Sequence, residues 1–264
     1  MSARTEFKAG FFPGAAPPPN GHAVRIVSLV PSQTELLHDL GLDAEVLGVT
    51  TFCVRPEGWK DQKQRVGGTK QVKVEAIRAL EPDLVLANKE ENTLEDVRAL
   101  SDFTSVYVSD VPDLPAALKM IRTVAGFVGK RAEARALIAE IEDAFAALTP
   151  PPTPRRAAYL IWREPWMTVG NDTFIHDLLT RAGFANVFAE HARYPEVDAA
   201  ALQAAAPEVV LLSSEPFPFK EQHAAELREV LPDAEIRHVD GELCSWYGSR
   251  LRHAPAYLRG LLDF

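Results

Sequence analysis

Between residues 130 and 148, apolar side chains recur at three- and four-residue steps: Ala134, Leu137, Ile138, Ile141, Phe145 and Leu148. Glu133, Arg135, Glu140, Glu142 and Asp143 fall on the opposite side. That spacing predicts a helix with one buried stripe. Gly129 can end the helix before it, and the run Thr149-Pro-Pro-Pro-Thr-Pro154 stops this one, because proline lacks the amide and clashes with the preceding turn. At about 1.5 Å per residue the helix would span roughly 28 Å, the width of a small domain. On either side, short apolar runs alternate with helical periodicities. Strands are predicted at 24–30, 45–49, 83–87 and 104–109, then at 156–162, 166–169, 208–212 and 235–239. Helices are predicted from Ser32 (with Glu35 three residues on, a capping box) to Gly41, at 74–80, up to about Leu100, and at 112–128. Further helices are predicted at 172–182 closed by Gly183, at 199–205, at 221–230, and from Pro255 onward.

Strands alternating with helices over short connections predict an α/β chain whose parallel sheets are wrapped by helices. The expected architecture is two Rossmann-like parallel-sheet lobes joined by one long backbone helix. Residues 1–22 form an irregular leader, 23–112 one lobe, 113–153 the linking helices with the backbone helix at 130–148, and 154–264 the second lobe. The competing arrangement makes 130–148 a crossover helix inside a single larger sheet. An internal match favours two lobes. At an offset of 125 residues, VEAIRALEPDLVLA (74–87) lies over AAALQAAAPEVVLL (199–212), with Pro82 on Pro207 and Asp83 on Glu208.

The chain has 264 residues, 47% hydrophobic and 25% charged, an ordinary globular balance. Its net charge of −9 excludes nucleic acid as the main partner, since an acidic surface repels phosphates. No apolar run reaches the length that crosses a bilayer, so membrane insertion is not expected. Near the N-terminus, Arg4 and Lys8 are followed by Phe11-Phe12 and then at once by Pro13-Gly14, without the apolar core of a secretory signal. As written the chain is expected in the cytoplasm; a signal removed earlier would place it in the periplasm. Cys53 and Cys244 stand far apart without a CxxC pair, so bridged, free and metal-bound states all stay open.

Ligands of open parallel sheets bind beyond the carboxyl ends of the strands, where loops and helix N-termini gather. The four tryptophans, Trp59, Trp162, Trp166 and Trp246, lie in or beside those predicted loops with Phe52, Phe217, Phe219 and Tyr247. They predict an aromatic site for a large, flat, partly apolar molecule. Asn88, Lys89, Glu90, Arg163 and Arg250 would orient its polar groups. No GxSxG, P-loop or GxGxxG motif occurs, so neither a hydrolase nor a nucleotide site has its usual frame. The expectation is a binding protein without catalytic residues and without a required cofactor. A cytoplasmic metal-binding protein or enzyme would instead use Cys53, His191, Cys244 or Glu90.

Arg25-Ile-Val-Ser-Leu-Val-Pro-Ser-Gln-Thr-Glu-Leu-Leu37, Leu47-Gly-Val49, Arg65-Val-Gly-Gly68 and Glu75–Ala87 together resemble the cobalamin- and siderophore-binding proteins of ABC importers. The resemblance covers about 24–264. It implies two α/β lobes on one rigid helix with little hinge closure. It also implies a corrinoid or metal chelate (siderophore, haem) held between the lobes, and membrane subunits of an importer as partners. Such proteins dock through one glutamate on each lobe. The first matches Glu75, but the equivalent position of the other lobe is Ala200, which cannot make that salt bridge.

Overall fold

The computed structural model describes residues 8–13 and 22–262, and its chain divides into two compact units. The first comprises residues 1–110 and 116–139, the second 111–115 and 140–264, so the residues of the expected linking segment pack with one unit or the other.

In the first unit the strands are β1 (Gly10–Phe12), β2 (Ile26–Ser28), β3 (Val46–Val49), β4 (Gln64–Arg65), a small hairpin of β5 (Gly67–Gly68) and β6 (Gln71–Val72), β7 (Leu84–Asn88) and β8 (Ser105–Ser109). The helices are α1 (Pro31–Asp39), α2 (Trp59–Gln62), α3 (Val74–Arg78), α4 (Leu94–Ser101) and most of α5 (Leu114–Phe127). The sheet runs β1-β8-β7-β2-β3-β4. All its neighbouring pairs are parallel except β1 on β8. Val27, Val85, Ala87, Val106 and Val108 face Ile77, Val97 and Leu100 in one buried cluster. Burial on both faces explains why the central strands read as continuous apolar runs.

Three sequence expectations change here. Residues 10–12 of the leader are an edge strand rather than irregular chain, with Phe11 stacked on Phe127 at 5.1 Å; the rest of 1–21, apart from 8, 9 and 13, lies outside the described residues. Helix α1 is capped by Val30 without a side-chain bond, not by Ser32. Pro31 already has the φ of a first helical residue, so the helix begins before the serine. The polar stretch 50–69, where the sequence pattern predicts no element, contains α2, β4 and β5.

The second unit contains β9 (Arg155–Trp162), β10 (Trp166–Thr168), β11 (Phe184–Asn186), β12 (Glu196–Val197), β13 (Val209–Ser213) and β14 (Glu235–Val239). Its helices after α6 (Arg131–Ala146), which the two units share, are α7 (Phe174–Ala182), α8 (Ala199–Ala205), α9 (Glu221–Val230), α10 (Gly241–Ser245) and α11 (Ala254–Gly260). The order is β12-β10-β9-β13-β14, with β11 also on β9. Strands β9, β13 and β14 are parallel, but β10 folds back antiparallel on β9, contrary to an all-parallel sheet. The connection Arg163–Pro165 is too short for a parallel crossover, which needs a dozen residues or more. Along α6 the predicted stripe is buried at Ala134, Leu137, Ile138 and Ile141, Phe145 is half-buried, and the five charged positions are exposed.

The repeat at offset 125 is carried by matching hydrogen bonds. Arg25 donates from Nε to the Glu81 carbonyl at 2.9 Å and from Nη2 to the Leu80 carbonyl. Arg156 does the same to the Ala206 carbonyl, at 3.3 Å, and to the Ala205 carbonyl. Asp83 Oδ2 accepts the Val24 and Arg25 amides at 3.0 and 2.9 Å, and Glu208 Oε2 accepts the Arg156 amide at 2.7 Å. Glu81 and Ala206 both adopt left-handed backbone, at φ 45° and 42°. In both units one arginine collects the last carbonyls of a short helix while a carboxylate two residues past the left-handed residue holds that arginine's backbone.

Replacing Asp83 or Glu208 with alanine is therefore expected to lower stability by about 1–2 kcal/mol, the loss of hydrogen bonds to a charged acceptor. Urea unfolding checks it, and Asp83→Ala should cost at least as much as Glu208→Ala, because Asp83 accepts two amides and Glu208 one.

Candidate functional site

In the second unit, Ala158 and Leu160 of β9 point into the core, and Trp162, next on that face, passes the core's edge and is 40% exposed. Its ring meets Phe217 edge-on at 5.6 Å, and Phe217 meets Phe219 at 4.9 Å. Phe219 stacks on Trp166 at 5.8 Å with planes 8° apart. The guanidinium of Arg163 lies 4.6 Å from the Trp166 ring centre and gives two hydrogen bonds, of 3.1 and 2.6 Å, to Glu226 on α9. Glu164, at φ 67°, turns the chain back into β10. Arg163, Glu164, Phe217 and Glu226, with Gln222 and His223, line an open hollow of about 380 Å³. His223 Nδ1 accepts the Lys220 amide at 2.9 Å, and its Nε2 lies 3.2 Å from the Gln222 side-chain nitrogen.

Beside this hollow lies a second polar group. Glu215 Oε1 accepts from Trp246 Nε1 at 2.7 Å and from Ser245 Oγ at 3.1 Å. Burial pushes the Glu215 carboxyl above its ordinary value, the two donors pull it back, and the charges of Glu242 and Asp240 push it further up. Arg250 pairs with Glu242 at 3.4 Å and sits over the Trp246 ring at 5.3 Å. Below them Tyr159 donates to Ser213 Oγ at 3.0 Å, and burial drives the Cys244 thiol up to about 12.

In the first unit, Asn88 is buried at the end of β7. Its Nδ2 donates to Ser109 at 3.2 Å (carbonyl) and 3.1 Å (Oγ), and its Oδ1 accepts the Glu90 and Glu91 amides. Asn88 thus shapes the turn, and its side chain is committed to it. Lys89 pairs with Asp110 at 2.8 Å. Glu90 is half-buried in the same turn, and Phe52 is 57% exposed past the end of β3.

Several predicted site residues fall elsewhere. Trp59 is buried, edge-on to His38 at 5.4 Å, with Nε1 on Asp43 at 3.2 Å. Because β4 runs parallel to β3, the chain must return first, and α2 carries Trp59 to the amino end of β3. Tyr247 is buried edge-on to Phe174 at 5.8 Å, as core packing. Trp166 and Trp246 are nearly covered, which leaves Trp162 as the exposed tryptophan. Cys53 and Cys244 are both buried free thiols; Cys53 lies 3.1 and 3.2 Å from the Thr34 and Thr50 hydroxyls, and burial raises its pKa. His191 is exposed beside Phe188. Among the described residues no three His, Cys, Asp or Glu side chains are grouped to hold a metal. Glu75 is exposed in the first turn of α3 with Arg78 at 3.3 Å, and Ala200 is exposed in the first turn of α8. Sequence reasoning missed His223, Gln222 and Glu226; their place in the first turns of the helix after the β13 loop was the available signal.

The family profile described as "Periplasmic binding protein" matches residues 26–240. The vitamin B12-binding protein of Vibrio campbellii is 29% identical over 199 residues, 74% of this chain and 72% of that one. The periplasmic heme-binding protein RhuT from Roseiflexus sp. RS-1, in apo form, superposes with TM-score 0.77 at 22% identity, over 90% of this chain and 99% of that one. The periplasmic vitamin B12-binding protein BtuF of Vibrio cholerae gives TM-score 0.71 at 21% identity, over 91% and 96%. The two structures show the shared fold.

Two outcomes are expected. Neither cysteine should react with iodoacetamide in the native protein near neutral pH, and both should react after unfolding, as intact mass will record. Glu215 has a folded pKa above its unfolded one, so its favourable contribution is complete below the ordinary carboxylate value and is lost as pH rises through the raised one. The stability of Glu215→Gln relative to the parent should therefore increase from about pH 4 to about pH 8 in urea titrations.

Proposed function

The chain belongs to the periplasmic binding protein family, and from that membership we propose that it is a non-enzymatic receptor for a flat, largely apolar small molecule of the corrinoid or metal-chelate kind. The observation that carries this reading is the Trp162 ring, 40% exposed and edge-on to Phe217, which lines the 380 Å³ hollow of the second unit. Leaving a tryptophan so exposed forgoes the burial that favours large aromatic rings, unless a ligand covers it. The relatives named for vitamin B12 and heme binding support the same class of ligand. Trp162 and Phe217 are the open aromatic surfaces there, and the Trp166–Phe219 stack holds Phe217 in place from beneath. The exchangeable groups facing the hollow are His223 Nε2, Gln222 and the Arg163–Glu226 pair.

An ABC importer is the partner that the family supports, approached through Glu75 on the first unit. Ala200 gives the second unit no carboxylate at the matching position, so docking there would be weaker or carried by other side chains. Among the described residues no helix is long and apolar enough to cross a membrane. Receptor work for an importer belongs outside the cytoplasmic membrane, and cell fractionation tests that compartment.

Titration of the purified chain with cyanocobalamin, haemin and ferric siderophores should quench tryptophan fluorescence with one of them at micromolar concentration or below. Trp162→Ala should weaken that ligand by about tenfold, near 1.4 kcal/mol, as expected for loss of one stacking ring. No quenching by any of them would defeat the receptor reading.

A further inference from the structure

Two segments far apart in the chain make the aromatic rim of the second unit. The end of β9 and the turn after it carry Trp162 and Arg163, and the loop after β13 carries Phe217 and Phe219. Helix α9 lies against both. Ala224 and Leu227 seat it in the core cluster that also holds Trp166 and Phe219. His223 and Glu226, three residues apart, are neighbours on one stripe of this helix. They reach different segments. The His223 ring meets Phe217 edge-on at 5.2 Å and Phe219 at 5.7 Å, and its Nδ1 accepts the amide of Lys220, where the helix starts. Glu226 accepts two hydrogen bonds from Arg163, which also lies over the Trp166 ring and directly follows Trp162 in the chain. The Arg163 and Glu226 side chains are 22% and 40% exposed, and an ion pair so open to water contributes little stability. A carboxylate gripping a planar fork at two points does, however, fix its direction. What the pair supplies is geometry.

Resting on the receptor reading above, we infer that Glu226 and His223 are positioning residues of the ligand site. From one stripe of α9 they hold the β9–β10 turn and the Phe217 loop at a set separation. That separation fixes how Trp162 and Phe217, 5.6 Å apart and edge-on, are offered to a flat ligand. Both residues line the hollow, but their effect on the ligand passes through the two rings. Glu226 acts by way of Arg163, so the two work as one unit. His223 acts on Phe217 directly. Sites whose supporting contacts are loosened lose affinity although every ligand-facing group is still present.

The test uses the full chain and begins without ligand. Acrylamide quenching of tryptophan fluorescence should rise in Glu226→Ala, because Arg163 no longer covers Trp166, and in His223→Gln, because Phe217 no longer backs Trp162 as closely. His223→Gln keeps an acceptor for the Lys220 amide and so isolates the ring contacts from the cap. Glu221→Ala, an exposed carboxylate on the same helix, should leave quenching at the parental value. Cyanocobalamin, haemin and ferrioxamine B are then titrated. The probe that binds the parent should bind Glu226→Ala and Arg163→Ala about tenfold more weakly each, and the double variant no more weakly than either. Urea unfolding identifies a variant that has lost its fold, and Glu226→Gln, which keeps one acceptor oxygen, replaces Glu226→Ala in that event. Quenching unchanged in both Glu226→Ala and His223→Gln overturns the inference whether or not a ligand binds. Raised quenching with parental affinity overturns it too, and leaves the receptor reading intact. Losses that add in the double variant show that Glu226 does not act through Arg163 and overturn that assignment. If none of the three probes binds the parent, the receptor reading fails and takes this inference with it.

Discussion

In each unit an arginine at the amino end of the first parallel strand gathers the last carbonyls of a short helix, and a carboxylate from the next strand holds that arginine's own amide. This contact fixes where β7 starts relative to β2, and where β13 starts relative to β9. Parallel strands have no tight hairpin to set their register, so something at the amino edge must do so. Once the starts are aligned, the strands of the central set end together, and the loops after them are brought to one edge. Trp162 and the Phe217 loop meet for that reason, and so do Asn88 and Ser109. The left-handed residues Glu81 and Ala206 show that the turn is kept although neither is glycine, at a cost of order 1–2 kcal/mol for an L-residue.

At the carboxyl edge of the second unit, one layer of aromatic side chains supports another. Trp166 and Phe219 are buried and stacked on each other, and Phe217, with Trp162 against it, stands on Phe219 closer to solvent. A rim built in this way is rigid, since stacked rings have few rotamers to exchange. The charges follow the same economy. The guanidiniums of Arg163 and Arg250 lie against indoles and are paired with the carboxylates of Glu226 and Glu242. Such a surface suits a receptor, which must hold a flat ligand reversibly and reject others of similar shape. Cys244, raised in pKa by burial, contributes packing there, and Cys53 does the same within the first unit.

Much of the fold was legible because its signals are local. The α6 stripe, the Gly183 stop and the helix–proline–strand repeat depend on residues close in sequence, and the structure has each of them. The errors are equally physical. Pro31 displaced Ser32 as the helix start because its fixed φ favours the first helical position. Hydrophobic period is blind to strand direction, so the antiparallel pairing of β9 and β10 follows only from their short connection. Trp59, Asn88 and Tyr247 carry the residue types of a ligand site, but a chain return, a turn and a core contact had already engaged them.

By itself the sequence determined the α/β class, the family resemblance, the internal repeat and the segments that would hold the site. These follow from hydrophobic period and from residue types at short spacing. Only the tertiary structure decided which aromatic rings stay open, that Trp59 lies at the opposite end of its strand, and that Arg163, Lys89 and Arg250 are already paired. The carboxylates concerned, Glu226, Asp110 and Glu242, lie 63, 21 and 8 residues from their cations, and no local pattern announces such partners. Charge pairing depends on distance in space, which the chain specifies only after its sheets have aligned.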